Sequence, residues 1–238
     1  MNSGAFDPIR DPIAAAREHE NAWVHVDGAF GMWARTSPAL AHLLDGVEAA
    51  DSWATDAHKW INVPYDSGLA FVANAEAHAA AMSPPHAPYL AYTTRQERDQ
   101  VHWTPEYSRR ARGFTAYAAL RSLGRSGVRE MIERCCAHAS EMAHRLSAES
   151  GVRVLNDVVL NQALIRFEPD DGDVAAGDAL TRSVIQRVQE DGTIWLSGTV
   201  WHGVAAIRIS VSNWWTDAQD VEAAVDAILR ALHAVRES

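Results

Sequence analysis

Cysteine is scarce in this 238-residue sequence, which contains Cys135 and Cys136 and no other cysteine. Two adjacent cysteines within a helical pattern exclude a disulfide framework and lack the spacing of metal ligands. His138 is close to them in sequence, but one histidine beside two cysteines on a single helix does not make up a metal site. We therefore expect no bound metal, and so few cysteines fit a reducing cytoplasm.

Positive charge is also in short supply. The chain has 21 lysine plus arginine residues against 31 aspartate plus glutamate residues, which gives a formal net charge of −10. Proteins that bind nucleic acid neutralise the phosphate backbone with clusters of lysine and arginine, and no basic block occurs here. The sequence therefore argues against a nucleic-acid partner.

Long apolar runs are missing as well. A membrane-spanning helix needs about 20 mainly apolar residues in succession, and no segment approaches that length. The first ten residues, MNSGAFDPIR, do not show the basic region followed by an apolar region that a secretory leader requires. We expect a soluble, cytoplasmic protein that does not bind a membrane.

The residues that are present follow an α/β pattern. Hydrophobic residues make up 47% of the sequence, which is ample for a packed core. Strand patterns occur at residues 23–26, 52–55 and 68–72, the last read as a buried strand, and a helix pattern starts at Ser37 and runs to Val47. A strand, a helix and a second strand in this order predict a crossover connection with parallel strands.

Asp27 and Lys59 each follow one of these strands. In open α/β sheets the carboxyl ends of strands line the ligand crevice, so we expect both side chains at one crevice. An amine shielded from water loses its proton more readily and becomes a nucleophile that forms Schiff bases. Pyridoxal phosphate needs such a lysine for its aldehyde carbon and a carboxylate for its ring nitrogen. The alternative is that His58 and Lys59 form an ordinary polar pair at a strand end.

Two segments carry a family resemblance, namely WVHVDGAFG at residues 23–31 and DSWATDAHKWINVPYDSG at residues 51–68. They resemble the motifs of the group II pyridoxal-phosphate-dependent decarboxylases, which act on glutamate, histidine and aromatic amino acids. The resemblance implies a role for four residues: Lys59 as the Schiff-base lysine, Asp27 as the partner of the ring nitrogen, Ala29 as a small residue against the ring face, and His58 as a neighbour of the cofactor phosphate.

The resemblance also implies a fold class. This is an α/β fold in which residues 1–126 form the latter part of a type I pyridoxal-phosphate-transferase large domain, with a loop at residues 83–103. Residues 127–238 would then form a C-terminal α+β domain entered through a linking helix. A segment resembling SGAFDP occurs mid-chain in the family, so the sequence covers roughly the second half of the pattern. The family's ring-stacking histidine and its phosphate loop, which sits at a helix N-terminus, are not found here.

The loop departs from the family at one position. Family decarboxylases carry a proton-donating tyrosine three residues before the tryptophan that corresponds to Trp103, and Gln100 stands at that position here. The segment PYLA resembles the family's substrate-side turn, which makes Tyr89 a candidate substrate-binding residue. The alternative is that Tyr89 lines a dimer interface, since tyrosine is also common at protein interfaces.

The C-terminal half contributes one chemical candidate, Arg208, in the strand pattern AAIRISVSN. An arginine within an apolar strand is costly unless it meets an anion, and its guanidinium suits a carboxylate. In the family, the arginine of a similar R-x3-S-N pattern binds the substrate carboxylate; the alternative is an edge-strand arginine that faces water. The elements predicted for this half are helices at residues 108–124, 128–150, 178–190 and 217–233 and strands at residues 152–155, 162–167, 193–197 and 205–211.

Together these observations predict a pyridoxal-phosphate-dependent carboxy-lyase that converts an L-amino acid into an amine, and the resemblance implies a homodimer. Two alternatives stay open. One is other chemistry on the same cofactor, transamination or oxidative deamination, which the replacement of the loop tyrosine by Gln100 favours. The other is a non-catalytic partial chain that needs a separate N-terminal half.

Overall fold

The structure is a computed structural model that describes residues 2–82 and 100–237. Its first half contains a short helix, a small sheet and several 3₁₀ turns. The elements of this half are α1 (Arg10–Arg17), β1 (His25–Asp27), 3₁₀ segments at Gly31–Thr36, Ala41–Leu44 and Val47–Ala49, β2 (Ser52–Asp56), α2 (Ala57–Trp60), β3 (Gly68–Val72), α3 (Ala75–Met82) and a 3₁₀ turn at Gln100–His102.

The first sheet has the strand order β1-β2-β3, and β1 pairs with β2 in parallel, as predicted. The Asp51 carboxylate fixes this pairing at its start, because it accepts hydrogen bonds from the Val24 amide at 2.7 Å and from Arg17 at 3.0 Å. Gly28 closes the other end, where its amide donates to the Ala54 carbonyl at 2.8 Å. A Cβ on Gly28 would lie 2.7 Å from the Met32 Cβ, so only glycine allows this approach.

Two expectations for this half are wrong. The helix expected from Ser37 to Val47 is replaced by the short 3₁₀ segments, because Gly46 has a left-handed backbone with φ of 91°. The Ser37 hydroxyl donates to Glu133 at 2.6 Å and caps no helix. The strand at residues 68–72 is not fully buried either, since Phe71 is 50% exposed. Among the described residues β3 pairs only with β2, which leaves its other edge open.

The second half begins with a long helix and continues as an antiparallel sheet covered by helices. Its elements are α4 (Arg112–Ser147), β4 (Val152–Val154), β5 (Gln162–Phe167), α5 (Val174–Asp191), β6 (Ser197–Trp201), β7 (Val204–Ser210) and α6 (Ala218–Arg236). The sheet order is β4-β5-β7-β6, and all its neighbours are antiparallel. This arrangement agrees with the α+β pattern predicted for this region.

Several boundaries differ from those predicted. The break expected between the helices at residues 108–124 and 128–150 is present, because α4 consists of two helical parts that meet at Gly124, where φ is 63° and ψ is −177°; the first part begins only at Arg112. The strand expected at residues 193–197 begins only at Ser197. Helix α5 starts earlier than expected, because Asp173 caps it by accepting a hydrogen bond from the Ala176 amide at 2.7 Å.

The two sheets share one hydrophobic core. Buried residues from the 3₁₀ segments, such as Trp33 and Leu44, belong to the same cluster as Ile132 and Leu146 of α4 and residues of β5, β7 and α6. The division into domains at residue 126 stays a prediction, and α4 runs through that position. No helix in the described ranges combines the length and apolar character needed to cross a membrane.

An arginine is buried inside the second sheet, but it is Arg166 of β5, whose side chain is 3% exposed. Its guanidinium donates to Asp178 at 2.6 Å and to the carbonyl groups of Ala205 and Val174 at 3.0 and 2.9 Å. The Ala205 amide and Arg166 both bond the Asp178 carboxylate and hold its pKa below the usual range. The sequence pattern of β5 did not predict this buried charge.

Replacing Arg166 by alanine should destabilise the protein strongly. The change removes the buried guanidinium from the carbonyl groups of Ala205 and Val174 and from Asp178, which keeps only the exposed Arg182 and the Ala205 amide as partners. Breaking a buried ion pair costs about 3 kcal/mol of unfolding free energy. Urea unfolding followed by circular dichroism measures the loss. Arg187, 59% exposed in a 3.9 Å pair with Glu190, is the matched control, and its alanine variant should change stability by less than about 0.5 kcal/mol. Equal losses in both variants would contradict a structural role for Arg166.

Candidate active site

The parallel strand pair brings Asp27 and the segment after β2 to the same sheet edge. Asp27 is the last residue of β1, it is exposed, and it pairs in register with Ala54. Its carboxylate accepts a hydrogen bond from the Ala29 amide at 3.1 Å, which orients the carboxylate at the strand end. Asp27 and Gly28 line a cavity of about 740 Å³, together with residues of β1 and of the N-terminal segment 4–13.

Ala29 and Phe30 connect the end of β1 to the lysine. The Ala29 carbonyl accepts a hydrogen bond from the Asp56 amide at 3.3 Å, so the loop after β1 touches the end of β2. Lys59 lies in α2, a single helical turn, with its side chain 26% exposed. The Lys59 ammonium lies 4.9 Å from the centre of the Phe30 ring, a cation–π contact. The amine is therefore half-buried beside an aromatic face and is not on a solvated helix.

The His58 side chain lies near Asp56, at the end of β2, and is 15% exposed. Its Nδ1 atom lies 3.2 Å from the Ser67 carbonyl, and its ring stacks on Tyr65 with the centroids 4.4 Å apart. A carbonyl oxygen only accepts hydrogen bonds, so this contact assigns the proton to Nδ1 and leaves Nε2 facing Asp56 at 3.8 Å. Tyr65 and Ser67, which lie in the turn after α2, therefore hold the His58 ring in place.

Two features of this site were missed in the sequence. The first is Asp56, whose carboxylate lies 2.9 Å from the Lys59 Nζ atom, and no motif distinguished it from an ordinary strand residue. The second is compositional, because Lys59 is the single lysine among the 21 lysine and arginine residues of the chain. A residue count would have found this signal, since only one amine side chain is available for any covalent chemistry.

The turn after α2 is anchored to the start of α4. The Asp66 carboxylate accepts hydrogen bonds from Arg110 at 3.1 Å and from Arg112 at 3.2 Å. The hydrogen bond from Arg110, with a smaller contribution from Arg112, lowers the pKa of Asp66 to about 2. Asp66 therefore remains ionised at any pH well above that value, and the turn that supports His58 stays tied to α4.

Arg208, the expected substrate anchor, lies on β7 and lines a second cavity of about 380 Å³ together with Trp195, Asn213 and Asp220. Its Nε atom is buried and has no hydrogen-bond partner in the part of the chain that the structure describes. Asp27 and Lys59 do not line this second cavity.

Asn62 links the lysine to the segment that follows Arg208. Its side-chain amide donates to the Lys59 carbonyl at 3.1 Å and to the Ser212 carbonyl at 2.9 Å, while its oxygen accepts from the Trp214 amide at 2.9 Å. The sequence placed Asn62 only in a turn. The candidates Asp27, Ala29, His58 and Lys59 therefore gather at one sheet edge, Arg208 is connected to them through Asn62, and Tyr89 lies outside the described residues.

Comparison with solved structures identifies the fold. Oryza sativa TDC, solved with PLP and tryptamine, superposes with a TM-score of 0.90 at 22% identity, over 98% of this chain and 49% of that one. Catharanthus roseus tryptophan decarboxylase in complex with L-tryptophan gives a TM-score of 0.87 at 21% identity, over 98% and 49%. These likenesses confirm the predicted fold class, a partial type I pyridoxal-phosphate-transferase fold.

Sequence comparison points the same way. Tyrosine/DOPA decarboxylase 1 of Papaver somniferum is 27% identical over 250 residues, which cover 97% of this chain and 48% of that enzyme. Tyrosine decarboxylase 1 of Narcissus pseudonarcissus is likewise 27% identical, over 99% and 47%. The chain thus spans about half the length of the curated relatives it matches.

The family of the chain is shown by the match of its sequence to the shared pattern of one protein family. The description of that family is "Pyridoxal-dependent decarboxylase conserved domain", and the match extends over residues 1–168, well over half of the sequence. The motifs around Asp27 and Lys59 both fall within this range. The chain therefore belongs to the pyridoxal-dependent decarboxylase family.

Proposed function

We propose that this chain carries the lysine-bearing part of an enzyme that uses pyridoxal 5'-phosphate to decarboxylate an L-amino acid to an amine. The observation that carries the proposal is the position of Lys59. It is the one lysine of the chain, and it follows β2 at the sheet edge where β1 ends in Asp27. The names of the relatives, tyrosine, DOPA and tryptophan decarboxylases, suggest aromatic L-amino acids as the substrates to test first.

The residues at this edge suit the cofactor in their chemistry. Lys59 supplies the amine for the aldehyde, and the Asp27 carboxylate would pair with the ring nitrogen. Ala29, whose amide donates to Asp27 and whose carbonyl accepts from the Asp56 amide, is small enough to leave space for a ring. His58 would contact the phosphate. The cavity beside Asp27 has a volume of about 740 Å³, within the usual range of ligand pockets of about 300–1,000 Å³, and its lining includes Asp27 and Gly28 but not Ala29, His58 or Lys59.

When bound, the cofactor supplies an electron sink for the electron pair that the carbon–carboxylate bond leaves behind. The residues of the chain hold and orient the reactants. Asp27 would keep the ring nitrogen protonated by offering it a negative charge, and Arg208 would hold the substrate carboxylate with its guanidinium group. Phe30 shields one side of the Lys59 amine from water.

We further propose that the phosphate loop and the ring-stacking group come from a segment other than those described, and that the working enzyme is a cytoplasmic homodimer. The support for the first point is that the chain matches about half of each relative. The second point is supported by the family resemblance. Product analysis decides between decarboxylation and the other chemistry that Gln100 favours, since the first yields an amine and the second a keto acid or an aldehyde.

Lys59 should be the residue that captures the cofactor. The purified chain is incubated with pyridoxal 5'-phosphate, reduced with borohydride, digested and examined by mass spectrometry. We expect a phosphopyridoxyl group on the Lys59 peptide and at least about tenfold less on the same peptide of the Lys59→Arg variant, because a guanidinium keeps the charge but does not condense with aldehydes. Modification of the terminal amine alone would refute the assignment.

Asp27→Asn should retain cofactor capture and lose catalysis. The amide occupies the same space but no longer provides a negative charge for the ring nitrogen, and removing one preorganised electrostatic partner costs about 10²–10³ in kcat. Release of carbon dioxide from L-tyrosine, L-DOPA and L-tryptophan measures the effect. Unchanged kcat in this variant would remove Asp27 from the proposed site.

Arg208→Gln should raise KM at least about tenfold while kcat changes little, because it removes a contact to the substrate carboxylate that exists before and during reaction. Steady-state decarboxylation measures both constants. Arg153→Gln is the matched control, since Arg153 lies on β4 of the same sheet with its side chain 64% exposed. If both variants keep the wild-type KM, Arg208 does not bind the substrate.

A further inference from the structure

A single carboxylate lies between the two basic side chains that follow β2. The Oδ2 atom of Asp56 is 2.9 Å from Nζ of Lys59 and 3.8 Å from Nε2 of His58. The Asp56 side chain is 28% exposed, so water only partly screens these contacts. Neither sequence motif assigns a task to Asp56, and the proposed function does not use it.

The backbone of Asp56 is held from two directions, which fixes where the carboxylate points. Its amide donates to the Ala29 carbonyl at 3.3 Å, and its carbonyl accepts from the Trp33 indole at 3.0 Å. The one-turn helix α2 then places Lys59 three residues further on, within reach of the carboxylate. The backbone that carries both members of the ion pair is thus held in place.

The same ammonium also faces the Phe30 ring at 4.9 Å. A carboxylate and an aromatic face both favour the charged form of an amine. The other ionisable group of this cluster is His58, whose Nε2 atom lies 3.8 Å from the same Asp56 oxygen and whose Nδ1 atom lies 3.2 Å from the Ser67 carbonyl. Asp56 and Phe30 are therefore the two contacts that stabilise the Lys59 ammonium among the described residues.

We infer that Asp56 is a positioning residue that engages the Lys59 amine in an ion pair and so slows the reaction of this amine with aldehydes. The inference rests on the proposed function only in taking pyridoxal phosphate as the aldehyde. Condensation uses the nitrogen lone pair to form a carbon–nitrogen bond, and the carbonyl oxygen leaves as water. An ammonium has no lone pair, so one proton must first pass to solvent, and the 2.9 Å ion pair opposes that loss.

The reactivity of Lys59 with limiting acetic anhydride at pH 7.5 tests the inference without the cofactor. Because the chain has one lysine, side-chain acetylation reports Lys59 alone, and the terminal amine serves as the internal standard. We expect Asp56→Asn to accelerate acetylation about fivefold, the factor that corresponds to a partly exposed ion pair of about 1 kcal/mol. Asp56→Glu retains the carboxylate and should stay within about twofold of the wild type.

Asp45→Asn is the control for a change in charge alone, since Asp45 is 59% exposed and 3.9 Å from Arg10, and its acetylation rate should equal that of the wild type. Circular dichroism shows that each variant is folded, and acetylation in urea should be equal in all of them. No acceleration in Asp56→Asn, or equal acceleration in Asp56→Glu, would overturn the inference.

The same variants separate the two proposals when pyridoxal phosphate and borohydride replace the anhydride. If Asp56→Asn accelerates acetylation but no variant captures the cofactor, the role of Asp56 stands and the proposed function fails. If the wild type captures the cofactor and Asp56→Asn accelerates neither reaction, the proposed function stands and the role of Asp56 is rejected.

Discussion

The register between β1 and β2 is the constraint on which the candidate site depends. Asp27 and Lys59 are 32 residues apart in sequence, and it is the pairing of Asp27 with Ala54 that carries them to one sheet edge. Asp51 fixes the start of this pairing through Val24 and Arg17, and Gly28 fixes its end through Ala54. A slip of one residue would turn Asp27 to the opposite face of the sheet, because side chains alternate along a strand.

Much of this edge could be predicted from the sequence. The parallel pair, the positions of Asp27 and Lys59 and the α+β pattern of the second half follow from apolar periodicity, a crossover of suitable length and turn residues. These signals lie within single segments or in the connection between two strands. The family resemblance then gave the residues their roles and the incomplete fold its class.

The errors have physical causes that are not local. The apolar spacing from Leu40 to Val47 fits a helix, but Gly46 and the contact of Ser37 with Glu133 of α4 favour short 3₁₀ segments. The buried charge of Arg166 depends on Asp178 and on carbonyl groups from another strand, which the β5 pattern does not contain. Asp56 was overlooked for the same reason, since its importance comes from the position of the Lys59 side chain.

Asn62 links the segment after β2 in the first sheet to the segment after β7 in the second sheet. Its amide group bonds both the Lys59 carbonyl and the backbone at Ser212 and Trp214, four to six residues after Arg208. With a further bond to the Trp60 carbonyl at 3.2 Å, four hydrogen bonds leave this short side chain little freedom, so a shift of the β7 end would also move the backbone of Lys59. Asn62 itself has φ of 53°, a left-handed conformation that asparagine tolerates better than most residues. Asn62 therefore ties the backbone of Lys59 to the segment that follows Arg208.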